Sequence, residues 1–101
     1  MKTDKRLNML NVMGNYELDA KKTRIILYLG EKGEASAMEL AEKFETDPTL
    51  INHRIKLMAK HKYIGVSPNK LIGWKGRKIT QFKLRKAGEE LCMKLLGIEP
   101  K

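Results

Sequence analysis

The chain has 101 residues, 42% of them hydrophobic and 33% charged, and a formal net charge of +9. A chain of this length is expected to form one domain, over residues 1–101, whose core is too small for a deep catalytic pocket. The composition is that of a folded protein. Its apolar runs are far shorter than the roughly 20 residues that cross a bilayer. Cys92 is the one cysteine in the sequence, which excludes an intramolecular disulfide, and it is expected to be a buried small hydrophobe.

The first two elements are predicted to be helices. An outer helix occupies about residues 1–14, where Thr3 can cap it and Gly14 can end it. A second helix runs from Asp19, a good N-cap, to about Glu31, and glycine follows soon after. The apolar residues of both segments recur at helical spacing, so each helix should have one buried side.

The third helix has the clearest start signal in the chain. Ser36-Ala37-Met38-Glu39 reads as a capping box, in which the Ser36 hydroxyl accepts from the Glu39 amide and the Glu39 carboxylate reaches back to the Ser36 amide. We expect its apolar side to carry Met38, Leu40, Ala41 and Phe44.

A fourth helix is predicted over residues 48–61, after a turn of about three residues. Asp47 is its N-cap, and a proline at the first helical position loses no needed hydrogen bond. At about 100° per residue, Ile51, Ile55 and Met58 form a narrow core stripe. The far side of the helix has no carboxylate and carries only polar residues, namely Thr49, Asn52, His53, Lys56 and Lys60.

Beyond this helix the apolar period changes from 3.6 to 2, which predicts strands. One strand is expected over residues 63–67, with Ile64 and Val66 on one face, and another over residues 77–84. Residues 68–76 contain strong turn formers and two lysines, so the strands form a hairpin with a basic tip. A last helix follows from residue 86 to about residue 96 and ends at Gly97. The second strand should place Thr80, Phe82 and Leu84 on one face.

The positive charge is concentrated in the middle of the chain. Residues 46–88 contain eleven lysines and arginines and one acid, whereas residues 1–45 carry eight basic and eight acidic side chains. Because a solvated surface normally mixes both signs, and because like charges oppose compaction, this segment indicates a polyanionic partner.

The order of these elements is that of a winged helix-turn-helix domain, an α+β and mostly helical fold with about five helices and a β-hairpin wing. The segments at residues 51–64 and 77–88 resemble the helix-to-strand and wing-to-last-helix signatures of the winged-helix transcription regulators of the MarR kind and their archaeal and viral relatives. The resemblance covers about residues 18–92. It implies a recognition helix at about 48–61 and a basic wing at about 63–84.

Three positions depart from the pattern of that family. Lys62 stands where the family usually has a glycine before the first wing strand, and Gly76 replaces the aspartate that orients the wing arginine, here Arg77. Arg85 replaces the threonine that commonly follows the second strand, which adds charge and removes a helix cap.

The residue types in the fourth helix suit double-stranded DNA. Short polar side chains near the start of a helix can reach base edges in the major groove, and longer cations reach phosphates. The candidates for contacts to base edges are Thr49, Asn52 and His53, and the candidates for contacts to the DNA backbone are Arg54, Lys56 and Lys60. In the wing we expect Lys70, Trp74, Lys75, Arg77 and Lys78 to contribute, with the minor-groove role of Arg77 implied by the resemblance. Two alternatives stay open, since His53 can be a solvated surface residue and Trp74 can pack back on the domain.

The outer helices, residues 1–14 and 86–98, carry more apolar surface than a small helical core requires, and in the resembled family such termini form a dimer interface. The predicted dimer residues are Leu7, Leu10, Met13, Leu91, Leu95 and Ile98. We therefore expect a homodimeric, sequence-specific DNA-binding transcriptional regulator that is not an enzyme and uses no cofactor, metal or membrane. It should be cytoplasmic and associated with the nucleoid of a prokaryotic, archaeal or viral host cell. The alternatives are a winged-helix module that binds RNA or a ribonucleoprotein, and a protein-interaction module.

Overall fold

The computed structural model describes residues 5–16 and 18–97, except for the side chains of residues 5–7 and 74. This part of the chain contains, in order, α1 (Lys5–Asn15), α2 (Ala20–Lys32), β1 (Glu34–Ser36), α3 (Ala37–Lys43), α4 (Pro48–Lys60), β2 (Ile64–Val66), β3 (Leu71–Ile72), β4 (Lys78–Ile79), β5 (Gln81–Leu84) and α5 (Lys86–Leu95). The predicted α+β class, mostly helical with a β-hairpin, is confirmed. None of the helices in the described ranges has the length and apolarity needed to span a membrane.

Two helices begin at the aspartates that the sequence indicated. The Asp19 carboxylate accepts a hydrogen bond of 2.7 Å from the backbone amide of Lys22, and the Asp47 carboxylate accepts one of 2.7 Å from the amide of Thr49. Each bond satisfies an amide that has no partner inside its own helix. The other predicted cap, Thr3, lies outside the described residues.

The capping box at the start of α3 is only half formed. The Ser36 hydroxyl accepts from the Glu39 amide at 3.1 Å, as expected. The Glu39 carboxylate instead accepts from the Tyr28 hydroxyl at 2.7 Å and from the Lys32 ammonium, both on α2. The predicted return bond to Ser36 is therefore wrong, because two stronger donors on the neighbouring helix take the carboxylate.

The largest sheet is antiparallel and has the strand order β1-β5-β2. Its register pairs Ala35 with Phe82 and Ile64 with Leu84. β1 was not predicted from the sequence, since it is only three residues long and runs directly into α3. The second predicted strand is in fact two strands, β4 and β5, which are separated at Thr80. β4 pairs with β3, and β3 lies inside the segment that was predicted to be a turn.

The core lies between the helices and the three-stranded sheet. Most predicted inward positions are buried, and the fully or largely buried apolar residues are Leu18, Ile25, Ile26, Leu29, Ala35, Leu40, Ala41, Ile51, Ile55, Met58, Ile64, Leu84, Leu91, Cys92 and Leu95. Cys92 thus packs as a small hydrophobe, and its burial raises the pKa of its thiol.

Three positions on the faces predicted from the apolar pattern are exposed. Met38 is 59% exposed, because it lies on the outer side of the short α3 above an open groove, and Val66 is 59% exposed, because the wing end of β2 extends past the helices. In the second wing segment Thr80 is exposed and Gln81 is buried, so the simple alternation fails where β4 gives way to β5.

Candidate nucleic-acid interface

α3 and α4 form a helix-turn-helix unit. Four residues, 44–47, separate them, one more than the sequence indicated. The turn has the hydrogen bonds of a Schellman motif, with the amide of Glu45 donating to the carbonyl of Glu42 at 3.3 Å and the amide of Thr46 donating to that of Ala41 at 2.9 Å. Glu45 has a φ of 51°, a left-handed conformation that glycine usually adopts.

The fourth helix is sorted into a buried and an open side. Ile51, Ile55 and Met58 are buried, which confirms the predicted core stripe. The opposite side is fully exposed and carries five of the six side chains predicted to contact bases or phosphates on this helix, namely Thr49, Asn52, His53, Lys56 and Lys60. Within residues 5–16 and 18–97, none of these five side chains makes a hydrogen bond or an ion pair, so their donors and acceptors remain available.

Arg54 does not share that open side. It is half-buried and, with Lys21 and Arg24 of α2, lines a cavity of about 50 Å³ between α2 and α4. Lys56 and Lys60, two of the candidates for contacts to the DNA backbone, therefore lie on the same side as the base-edge candidates. Arg54, the third, lies at the cavity between α2 and α4.

A second Schellman motif joins the fourth helix to the wing. The amide of Lys62 donates to the carbonyl of Ala59 at 2.9 Å, and the amide of Tyr63 donates to that of Met58 at 3.1 Å. Lys62 has a φ of 63°. This left-handed backbone explains why glycine suits the position in the resembled family, and it shows that this chain adopts the same turn with a lysine.

The far end of the wing is a tight turn between β3 and β4. The amide of Gly73 donates to the carbonyl of Arg77 at 2.6 Å, and Lys75 and Gly76 both have positive φ, at 59° and 73°. The side chain of Trp74 lies outside the described residues, so its predicted contribution stays a prediction. The other predicted wing residues, Lys70, Lys75, Arg77 and Lys78, are exposed along this hairpin.

Aliphatic side chains lie among these cations. Ile72 is 80% exposed and pairs across the hairpin with Lys78, and Leu71 pairs with Ile79 on the next position. The wing is therefore a mixed surface, able to meet both an anionic backbone and the apolar parts of a ligand. This apolar part was not expected from the sequence, because Leu71 and Ile72 lie in the segment that was predicted to be a turn.

A buried polar cluster holds the base of the wing against β1. The Glu34 carboxylate accepts from the Ser67 hydroxyl and, at 3.2 Å, from the Gln81 side-chain amide. Gln81 also donates to the carbonyl of Asn69 at 3.2 Å, and the amide of Asn69 donates to the Ser67 hydroxyl at 3.1 Å. Ser67 and Gln81 are buried, so this cluster ties both sides of the hairpin to the body of the protein. The polar Gln81 next to Phe82 in the predicted strand was the signal that could have revealed it.

α1 and α5 pack together at the other end of the molecule. The side-chain amide of Asn8 donates to the carbonyl of Lys94 at 2.9 Å, and the Lys94 ammonium donates to the Tyr16 hydroxyl at 2.6 Å. This second hydrogen bond raises the pKa of Lys94. α1 is thus fastened to the same chain through its contacts with α5.

The predicted dimer residues separate into two groups. Leu91 and Leu95 are only 2% and 1% exposed, because their side chains already belong to the core of this chain. The prediction that these two offer a partner surface is therefore wrong. Leu10 is 62% exposed and Met13 is half-buried, whereas the side chain of Leu7 and all of Ile98 lie outside the described residues.

In the ranges that the structure describes, no group of three or more histidine, cysteine or carboxylate side chains could hold a metal ion. The arrangement that remains is a helix-turn-helix, a β-hairpin wing and a following helix, completed by a short strand ahead of α3. This is the winged helix-turn-helix fold.

No family model and no curated protein matches the sequence. The structure does match solved ones. The YusO protein from Bacillus subtilis has a TM-score of 0.74 at 18% identity, over 92% of this chain and 63% of that one. The transcriptional regulator Tm0710 from Thermotoga maritima has a TM-score of 0.73 at 13% identity, over 92% and 62%. A mutant of MarR from E. coli, complexed with operator DNA, has a TM-score of 0.71 at 13% identity, over 93% and 64%.

The resemblance to MarR-type winged-helix regulators is thus confirmed for the fold. The chain spans less than two thirds of the length of each of these three structures, at 62% to 64%.

Proposed function

We propose that the protein is a sequence-specific transcriptional regulator that binds double-stranded DNA. The observation that carries this proposal is the open side of the fourth helix, which is exposed, free of carboxylates and unengaged within the described chain. Asn52 can make a bidentate pair with adenine, Thr49 and His53 can reach neighbouring base edges, and Lys56 and Lys60 can contact phosphates. The MarR neighbour complexed with operator DNA supports this use of the fold.

The wing extends the interface beside the fourth helix. Arg77 and Lys78 enter or flank a minor groove, where negative potential is enhanced, and Lys70 contacts the backbone. Because Ile72 is exposed beside Lys78, it can pack on sugar atoms while the cations take phosphates. The cluster around Glu34 supports this role, since it sets the angle of the wing relative to the body.

The protein acts as a homodimer formed by its outer helices. Leu10 and Leu96 are the exposed apolar residues that support this part of the proposal, and Leu7 and Ile98 remain candidates by their sequence positions. Two copies of the fourth helix would then contact half-sites about 34 to 36 Å apart. Light scattering at micromolar concentration should give twice the mass of one chain, and a monomer would contradict the dimer. We place the protein in the cytoplasm, at the nucleoid.

The test of the function is a selection of bound genomic DNA fragments, followed by affinity measurements on a selected duplex, a scrambled duplex and an A-form RNA. We expect the selected duplex to bind about 10³-fold or more tightly than the scrambled one. With about 8 to 10 phosphate contacts per dimer, affinity should fall by roughly 10⁴ to 10⁵ between 50 and 200 mM salt. Equal binding of selected and scrambled DNA would contradict sequence specificity, and better competition by the RNA would favour an RNA-binding module.

A further inference from the structure

Three cations from two helices line one small cavity. Lys21 and Arg24 lie three positions apart on α2, which places them on the same side of that helix, and Arg54 approaches from α4. The cavity has a volume of about 50 Å³ and is completed by Phe44, Thr46 and Ile51. This site was not expected, because residues 1–45 are neutral in total and the predicted basic surface began after them.

The charges around this cavity are not compensated. No carboxylate is among the described residues that line it, and within residues 5–16 and 18–97 neither Lys21, Arg24 nor Arg54 makes a hydrogen bond or an ion pair. Lys32 of the same helix shows the contrast, because it is paired with Glu39. Three like charges at one cavity repel one another, and this repulsion would be relieved by a bound anion.

We propose that this cavity binds a phosphate-type oxyanion. Arginine presents a planar set of donors that matches phosphate geometry, lysine adds a point charge, and the Thr46 hydroxyl can donate a further hydrogen bond. Phe44 and Ile51 form the apolar part of the lining, and charge-assisted bonds are stronger beside apolar groups than in bulk water. The volume suits a single small group, since sites for drug-sized ligands have volumes of about 300 Å³ or more.

Two sources offer this chemistry. One is a phosphodiester of bound DNA, in which case the site deepens the proposed function by adding a backbone contact beside the fourth helix. The other is a free phosphate or a phosphorylated small molecule. In both cases Arg54 has a role separate from that of the open side of its helix, which accounts for its different position.

The first arm of the test uses inorganic phosphate and no DNA. Amide chemical shifts of the whole chain are followed during a phosphate titration of wild type, Arg24→Gln and Lys22→Gln. Lys22 is the matched control, because it is on the same helix, removes the same charge and does not line the cavity. We expect shifts centred on Thr46 and Arg54, and about tenfold weaker binding in Arg24→Gln alone. Shifts spread over all basic residues, or equal weakening in both variants, would overturn the proposal as far as free phosphate is concerned.

The second arm measures the salt dependence of DNA affinity in the same three proteins. A slope reduced by about 0.9 per protomer in Arg24→Gln but not in Lys22→Gln identifies a phosphate of the DNA backbone as the ligand. Loss of phosphate binding with an unchanged slope identifies the free anion. If neither phosphate binding nor the slope depends on Arg24, the site is refuted. The phosphate arm needs no DNA, so failure of the proposed regulator function would not be mistaken for failure of this site.

Discussion

Gly88 of α5 lies directly against the backbone of Tyr63, and a Cβ atom at position 88 would be 2.1 Å from the Tyr63 carbonyl oxygen. The same oxygen accepts a hydrogen bond of 2.9 Å from the amide of Arg85. The start of α5 and the beginning of the wing are therefore in backbone contact, and no side chain separates them.

Gly88→Ala should destabilise the protein by about 1 to 3 kcal/mol or more, because a rigid backbone atom would have to move. Thermal or urea unfolding would measure the change. Gly14→Ala is the control, since a Cβ there meets nothing within 4 Å and alanine favours the helix, so this variant should be neutral or more stable. Equal effects of the two substitutions would show that the contact at Gly88 is not tight.

Lys62→Gly should stabilise the protein by about 0.5 to 1 kcal/mol. Lys62 holds a φ of 63°, which costs free energy for any residue with a Cβ and almost none for glycine. Lys62→Ala removes the same charge but keeps the strained backbone, so it should give no gain in the same unfolding experiment. A gain in Lys62→Ala equal to that in Lys62→Gly would attribute the effect to charge instead.

The pair formed by Glu39 and its donors should make stability depend on pH. Burial alone would raise the pKa of Glu39, but hydrogen bonds from Lys32 and Tyr28 outweigh it and hold the pKa below its ordinary value of 4.5. The ionised carboxylate therefore stabilises the folded protein at pH values above its ordinary pKa, and this contribution is lost as the pH falls through the depressed pKa.

Unfolding of wild type and Glu39→Gln should accordingly differ most near neutral pH, with the variant less stable, and the difference should vanish in strongly acidic solution. Glu42→Gln is the comparison, because Glu42 is exposed on the same helix and its side chain makes no ion pair within the described chain. A difference for Glu39→Gln that does not change with pH would contradict the proposed contribution of its charge.

Ser67→Ala should loosen the wing. It removes a donor to the partly buried Glu34 carboxylate and an acceptor of the Asn69 amide, at a cost of about 1 to 2 kcal/mol. DNA affinity should fall while its salt slope stays constant, because no cation is lost. Thr80→Ala, at an exposed wing position, should change neither stability nor affinity. A reduced salt slope in Ser67→Ala would mean that the wing loses phosphate contacts altogether.

Asn52 and Lys56 allow a direct comparison of specificity with affinity, since they lie one turn apart on the same open side. Asn52→Ala should reduce the binding free energy by about 1 to 3 kcal/mol for the selected duplex and by little for scrambled DNA. Lys56→Ala should weaken binding of both duplexes similarly and reduce the salt slope by about 1 per protomer. If both variants lose the same affinity for both duplexes, this division of roles is incorrect.

Local signals in the sequence predicted much of this fold. The caps at Asp19 and Asp47 and the core stripe of Ile51, Ile55 and Met58 depend only on residues within a few positions of one another, and all of them are confirmed. The open side of the fourth helix follows from the same periodicity.

Several features that could not be predicted from the sequence are contacts between distant segments. Burial of Leu91 and Leu95 depends on how the neighbouring helices and strands cover α5, and the position of Arg54 depends on α2, so neither could be derived from one helix alone. The cluster at Glu34 and Gln81 likewise joins residues 47 positions apart. Periodicity describes which side of an element is apolar, but it does not state which element will cover that side.

The central position of β5 in the sheet has a consequence for the order of folding. β5 can pair with β2 within the wing hairpin, but it meets β1, far upstream, only after a long loop has closed. The helices, which form from local contacts, should therefore appear before the sheet during refolding. Under the proposed function, a chain that has folded its helices but has not yet joined β5 to β1 would present the fourth helix beside a wing that the cluster around Glu34 does not yet hold, and it would bind DNA weakly until that pairing forms.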